Sequence, residues 1–87
     1  MRMTYFISIY DDFRGRHLYF RSMPAVPGGS RHDYVWVDSP TDATEYFTYA
    51  AAHSCKDAYI HSTHHTLLES SRIMTADEVT VTRVIEA

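Results

Sequence analysis

Cys55 is the only cysteine in the 87 residues, so no internal disulfide can staple the fold. That suits a reducing compartment. Glycine and proline are scarce as well, three of each, and four of these six residues fall between Pro24 and Ser30. The chain is therefore neither collagen-like nor of low complexity, and its punctuation is concentrated in one loop. No apolar run approaches the ~20 residues needed to cross a bilayer. The opening stretch, MRMTYFISIYDDF, is broken by Ser8 and two acids and lacks a signal-peptide apolar region and cleavage site. The expectation is a cytoplasmic chain without membrane contact.

Catalytic and cofactor signatures are missing too. There is no nucleophile-elbow pattern beside a base. Gly28–Gly29 lacks the Lys and Ser/Thr of a phosphate-binding loop, and no cysteine pair or His-Glu-x-x-His offers a zinc site. His61–Ser62–Thr63 carries one element of the two that a two-histidine phosphoesterase needs. These absences point to a non-enzymatic protein with no cofactor. The densest remaining cluster is His53, Cys55, His61, His64 and His65. His61 and His65 are four apart, the spacing at which two imidazoles on a helix can grip one zinc. A histidine-rich polar helix accounts for the same residues, and no metal ligand is assigned.

The hydrophobic pattern is that of an ordinary globular chain, 45% apolar and 22% charged. Its length predicts one domain, residues 1–87, with a thin core. Tyr5–Tyr10 and His17–Met23 alternate with period two around a turn at Asp11–Arg16, which predicts an antiparallel hairpin. Tyr34–Val37, apolar and β-branched, predicts a third strand in the sheet interior. Ser39 is a good helix cap and Pro40 a good first helical residue, so a helix is expected from Thr41, burying Ala43, Tyr46, Phe47, Ala50 and Ala51. A second helix is expected over 58–70, with an extended Tyr59–Thr63 as the alternative. Val79–Ile85, rich in β-branched residues, is expected to be a closing strand. The fold class is then α+β, in the order β-β-β-α-α-β, a small antiparallel sheet with both helices on one face.

Net charge is −3, unevenly spread. Residues 1–37 sum to +2, from Arg2, Arg14, Arg16, Arg21 and Arg31 against Asp11, Asp12 and Asp33. Residues 38–87 sum to −5, with Lys56, Arg72 and Arg83 the only cations. This asymmetry suggests two binding surfaces. On the expected first helix, Asp42, Glu45 and Tyr49 project away from the core, with Asp38 just ahead of the cap, carboxylates beside the residue type favoured at interface hot spots. On the hairpin, Arg14, Arg16 and Arg21 lie near Tyr5, Tyr10 and Tyr19, a pattern that can neutralise phosphates and stack bases of single-stranded RNA or DNA.

The segment VWVDSPTDATEYF, with its strand–Asp–Ser–Pro–helix format in a small acidic chain, resembles the orphan proteins of bacteriophages and mobile elements, among them anti-CRISPR and other anti-defence inhibitors. The resemblance covers roughly Tyr34–Ala51. It implies a cytoplasmic protein of a bacterial host that binds a host nucleic-acid-handling complex, such as a CRISPR effector, and blocks its nucleic-acid site. Acidic side chains would stand in for phosphates, and Asp38, Asp42 and Glu45 fit that part. The alternatives are an RNA-binding accessory domain using the arginine hairpin and a small histidine-metal protein. A thin core and an unpaired strand edge also allow a homodimer.

Overall fold

Alternating side chains build the sheet as expected. The computed structural model describes residues 3–24, 32–63 and 69–86. Strands β1 (Tyr5–Asp11), β2 (Arg16–Pro24) and β3 (His32–Val37) form an antiparallel meander, and β4 (Arg72–Thr75) joins the far side of β1. The order is β3-β2-β1-β4. Phe6, Ile7, Ser8 and Ile9 are all buried, so β1 is covered on both faces, as a central strand should be. Tyr34–Val37 was expected in the sheet interior. It instead belongs to the edge strand β3, where Val35 is exposed. The hairpin turn closes through Asp11, whose carbonyl accepts from Gly15 N–H (2.8 Å) and whose carboxylate accepts from Phe13 N–H (3.0 Å). Gly15 has φ +66°, the left-handed conformation glycine permits at no steric cost. Of the loop expected over Pro24–Ser30, only Pro24 lies within the described residues, and it closes β2 opposite His32.

The α+β class holds, and two helices, α1 (Tyr49–Thr63) and α2 (Ala76–Glu86), pack against the sheet. They lie on opposite faces rather than together on one. Successive strand residues point to opposite faces, and the two clusters divide accordingly. Ile7 and Phe20 pack with Ala52 and Tyr59 of α1. Phe6, Tyr19 and Met74 pack with Val79 of α2. Around Phe20 the rings of Tyr34, Trp36 and Tyr59 sit 5.1–5.9 Å away, centroid to centroid, so the α1 side of the core is mostly aromatic.

The helix expected from Thr41 does not start there. Ser39 does cap, its hydroxyl accepting from Thr41 N–H (3.3 Å), but it caps only a single 3₁₀ turn, Pro40–Asp42. The next residues are held extended because β1 and β2 part beyond Ser8 and Tyr19, leaving backbone groups to satisfy. Thr44 N–H donates to Phe20 O (3.0 Å). Tyr46 and Tyr5 exchange two bonds, of 2.7 and 3.0 Å. Ala43 packs on the α2 side and Tyr46 on the α1 side, so the chain crosses the sheet in this gap. Only then does α1 begin, capped by Thr48, whose hydroxyl accepts from Ala51 N–H (3.0 Å). Its buried face is therefore Ala52, Cys55, Tyr59 and Ile60, while Phe47, Ala50 and Ala51 are exposed. Tyr59–Thr63 is helical, the last part of α1; the helix expected over 58–70 otherwise runs into residues 64–68, outside the described ones.

The largest correction is at the C-terminal end. Val79–Ile85 is not a strand but most of α2, and the fourth strand is Arg72–Thr75. A threonine cap overrides the β-branched run. Thr75 Oγ1 accepts from Glu78 N–H (3.2 Å) and donates to the Glu78 carboxylate (3.3 Å). Asp77 and Glu78 in the first turn and Arg83 in the last match the helix dipole.

Candidate functional site

The four acidic-face candidates do not share a helix face, because no helix joins them. Asp38 follows β3, Asp42 ends the 3₁₀ turn, Glu45 lies in the extended crossing and Tyr49 opens α1. All four are exposed. Asp38 is engaged: its carboxylate meets Arg14 at 3.4 Å and its carbonyl accepts from Arg83 at 3.3 Å. Neither Asp42 nor Glu45 forms an ion pair among the described residues. Tyr49 packs edge-on to Tyr5 (6.2 Å) and stacks on His53 (6.1 Å), yet more than half of it is exposed. Phe47, expected in the core, is 58% exposed between Glu45 and Tyr49. Turning the chain into the sheet at Tyr46 is what pushes Phe47 outward.

The hairpin arginines are brought beside acids. Arg14 lies between Asp11 (3.6 Å) and Asp38 (3.4 Å), so a residue from each proposed surface pairs with the other. Arg16 lines a cavity of about 200 Å³ with His17, Tyr19, Asp38, Arg83 and Glu86. Arg21 is exposed in β2 opposite Val35. The three guanidinium groups therefore face different settings, and two of them have carboxylates nearby.

Within the cavity the central contact joins β2 to the end of α2. The Glu86 carboxylate accepts from His17 N–H (3.1 and 3.3 Å) and meets His17 Nδ1 at 2.5 Å. Strand β3 ends opposite Tyr19, leaving the next outward-facing N–H of β2, that of His17, beyond its reach. Glu86 takes the place of the missing strand. The Tyr19 hydroxyl is buried with no hydrogen-bond partner among the described residues. Its pKa is raised, first by burial and then by the charge of Glu86, with Arg83 acting in opposition. Sequence reading missed His17, Tyr19 and Glu86 as a group, since 69 residues separate His17 from Glu86. It also missed α2, for which Thr75-x-x-Glu78 was the available signal.

The thiol and histidines expected to cluster are committed separately where they are described. Cys55 Sγ accepts from the Tyr46 hydroxyl (2.9 Å), and burial together with that bond raises the tyrosine pKa. His53 stacks on Tyr49. The side chains of His61, His64 and His65 lie outside the described residues. Among the described residues no group of three or more His, Cys, Asp or Glu could hold a metal, and no helix is long and apolar enough to cross a membrane. No protein family, curated protein or solved structure matches this chain.

Proposed function

We propose that this chain is a non-enzymatic protein-binding module of the phage anti-defence type. It acts in the bacterial cytoplasm on a host nucleic-acid-handling complex and competes at that complex's nucleic-acid site. The observation that carries the reading is the set of exposed side chains Asp42, Glu45, Phe47 and Tyr49 along the segment that crosses the sheet. It sets Phe47 and Tyr49, 58% and 56% exposed, beside two carboxylates with no ion pair among the described residues. Aromatic anchors bury large area at small entropic cost, and flanking acids suit the basic groove of a nucleic-acid-binding partner. Asp38 serves the fold by pairing with Arg14 and leaves the contact set; Phe47 joins it. The arginine hairpin is less suited to binding nucleic acid directly, because Arg14 is held between Asp11 and Asp38.

The test is affinity capture from nuclease-treated bacterial lysate, with bound proteins identified by mass spectrometry. Wild type is compared with Asp42→Lys/Glu45→Lys and with Tyr49→Ala. One complex retained by the wild type and lost by both variants is expected. Equal capture by both variants refutes this surface. Capture that vanishes with nuclease returns the function to Arg14, Arg16 and Arg21 and makes RNA or DNA the ligand.

A further inference from the structure

The two faces of the sheet are unequally covered. On one, α1 contributes Ala52, Cys55, Tyr59 and Ile60 to a core around Ile7 and the rings that meet at Phe20. On the other, α2 adds Val79 and the partly buried Ala76 to Phe6, Tyr19 and Met74. Helices in proteins draw most of their stability from packing an apolar face. The face that α2 turns to the sheet holds Val79, Thr82 and Glu86, at helical spacing, and of these Val79 alone is fully buried. Composition does not compensate. Six of the eleven residues are β-branched (Val79, Thr80, Val81, Thr82, Val84 and Ile85), which lowers intrinsic helicity. The Thr80 hydroxyl also donates to Ala76 O (3.0 Å), a back-bond that slightly destabilises helices.

We propose that α2 is a detachable lid: it leaves the sheet as a unit, by reversible local unfolding, while the sheet and α1 stay folded. Its polar attachments lie at its two ends. At the N-terminal end, Ala76 N–H donates to Thr4 O (2.8 Å) and Thr75 caps the first turn by accepting from Glu78 N–H (3.2 Å). At the C-terminal end, Glu86 accepts from His17 N–H (3.1 Å) and Arg83 donates to Asp38 O (3.3 Å). Between the ends, Val79 is the buried anchor. An isolated helix of this length is marginal in water even with good helix formers. Once Val79 and Glu86 let go, α2 therefore melts as a whole rather than swinging out intact, and the chain entropy it regains favours the opening.

Opening uncovers Phe6, Tyr19 and Met74, which are at most 5% exposed under the closed lid, and releases His17 N–H at the edge of β2. An apolar sheet face and an unpaired strand edge become accessible together, and only in the open state. Asp42, Glu45, Phe47 and Tyr49 lie on other segments of the chain, so the lid and the function proposed for that surface stand or fall separately.

The proposal is tested by native-state hydrogen exchange of the full chain, read by NMR at low, increasing urea concentrations. Amides from Thr80 to Ile85 should share one level of protection, at least about tenfold below that of the paired Ile9 and Leu18. Their exchange should also depend less steeply on urea, because opening the lid exposes less surface than global unfolding. Ala52→Gly weakens α1, which stays folded in the open state. It should lower the protection of Ile9 and Leu18 about fivefold and leave that of Thr80 to Ile85 unchanged. Protection of α2 equal to that of Ile9 and Leu18, or falling in step with it in Ala52→Gly, overturns the proposal. So does protection that climbs steadily from Ile85 back to Thr80 and there reaches the level of Ile9, which is fraying of a helix end. If Ala52→Gly fails to fold, the wild-type urea dependence decides alone, and equal slopes for α2 and Ile9 overturn the lid.

Discussion

Replacing Glu86 with Ala tests whether one carboxylate finishes the sheet where β3 runs out. Glu86 and His17 side chains are 17% and 18% exposed, so water can replace their contact only in part. A hydrogen bond to a charged group contributes about 1.5–3 kcal/mol, and a buried donor left without a partner costs a similar amount. The Nδ1 contact shares the same carboxylate and does not add in full. Against this, a carboxylate in the last helical turn opposes the dipole by about 0.3–1 kcal/mol, which substitution returns. The net loss should be about 2 kcal/mol. For a domain of this size that lowers Tm by about 8–16 °C. Urea and thermal unfolding of wild type, Glu86→Gln and Glu86→Ala provide the assay. The glutamine variant keeps an acceptor for His17 N–H but no charge, and should fall between the other two. A Glu86→Ala protein within about 0.5 kcal/mol of wild type would refute the reasoning, since an ordinary surface substitution does no more.

Three further outcomes are expected. Tyr19→Phe removes a buried hydroxyl with no partner among the described residues and should raise stability by about 1 kcal/mol, read from the denaturant midpoint. Thr75→Ala deletes the cap of α2 and should cost about 1 kcal/mol, with loss of helical circular dichroism on partial unfolding. Burial raises the pKa values of Tyr19, Tyr34 and Tyr46 above the ordinary 10.0, with the Cys55 bond adding at Tyr46. The folded state therefore holds these protons more tightly than the unfolded state. That stabilisation is fully present below pH 10 and is lost as pH rises above 10 towards the folded values. Unfolding midpoints measured from pH 8 to 12 should be flat and then fall, and Tyr46→Phe should fall less steeply.

Local chemistry made part of this protein legible without its structure. The period-two spacing of Tyr5–Tyr10 and His17–Met23 specifies paired strands, since successive strand side chains point to opposite faces and each face keeps its own set. Gly15 and Asp11 specify the turn, and Ser39–Pro40 specifies a capped turn. The α+β class rests on these. The candidate surfaces were legible only as residue types, because charge and aromatic content do not reveal which side chains meet.

Tertiary structure decided the rest. Residues 43–46 are extended because diverging strands leave Phe20 O and the backbone of Tyr5 to be satisfied, a demand set by residues far away in the chain. That crossing starts α1 eight residues later than its apparent cap predicts and exposes Phe47. Arg14 and Asp38, members of separate surfaces by composition, meet because the β1–β2 turn and the end of β3 lie at the same end of the sheet. Val79–Ile85 has the side chains of a strand. It forms a helix because the Thr75–Glu78 cap starts it, Val79 seats it on Phe6, Tyr19 and Met74, and Glu86 pins its end to His17. Propensity weighs each residue alone by tenths of a kcal/mol, whereas a cap, a buried anchor and a charged hydrogen bond each contribute about 1 kcal/mol or more and act only once the fold has assembled them.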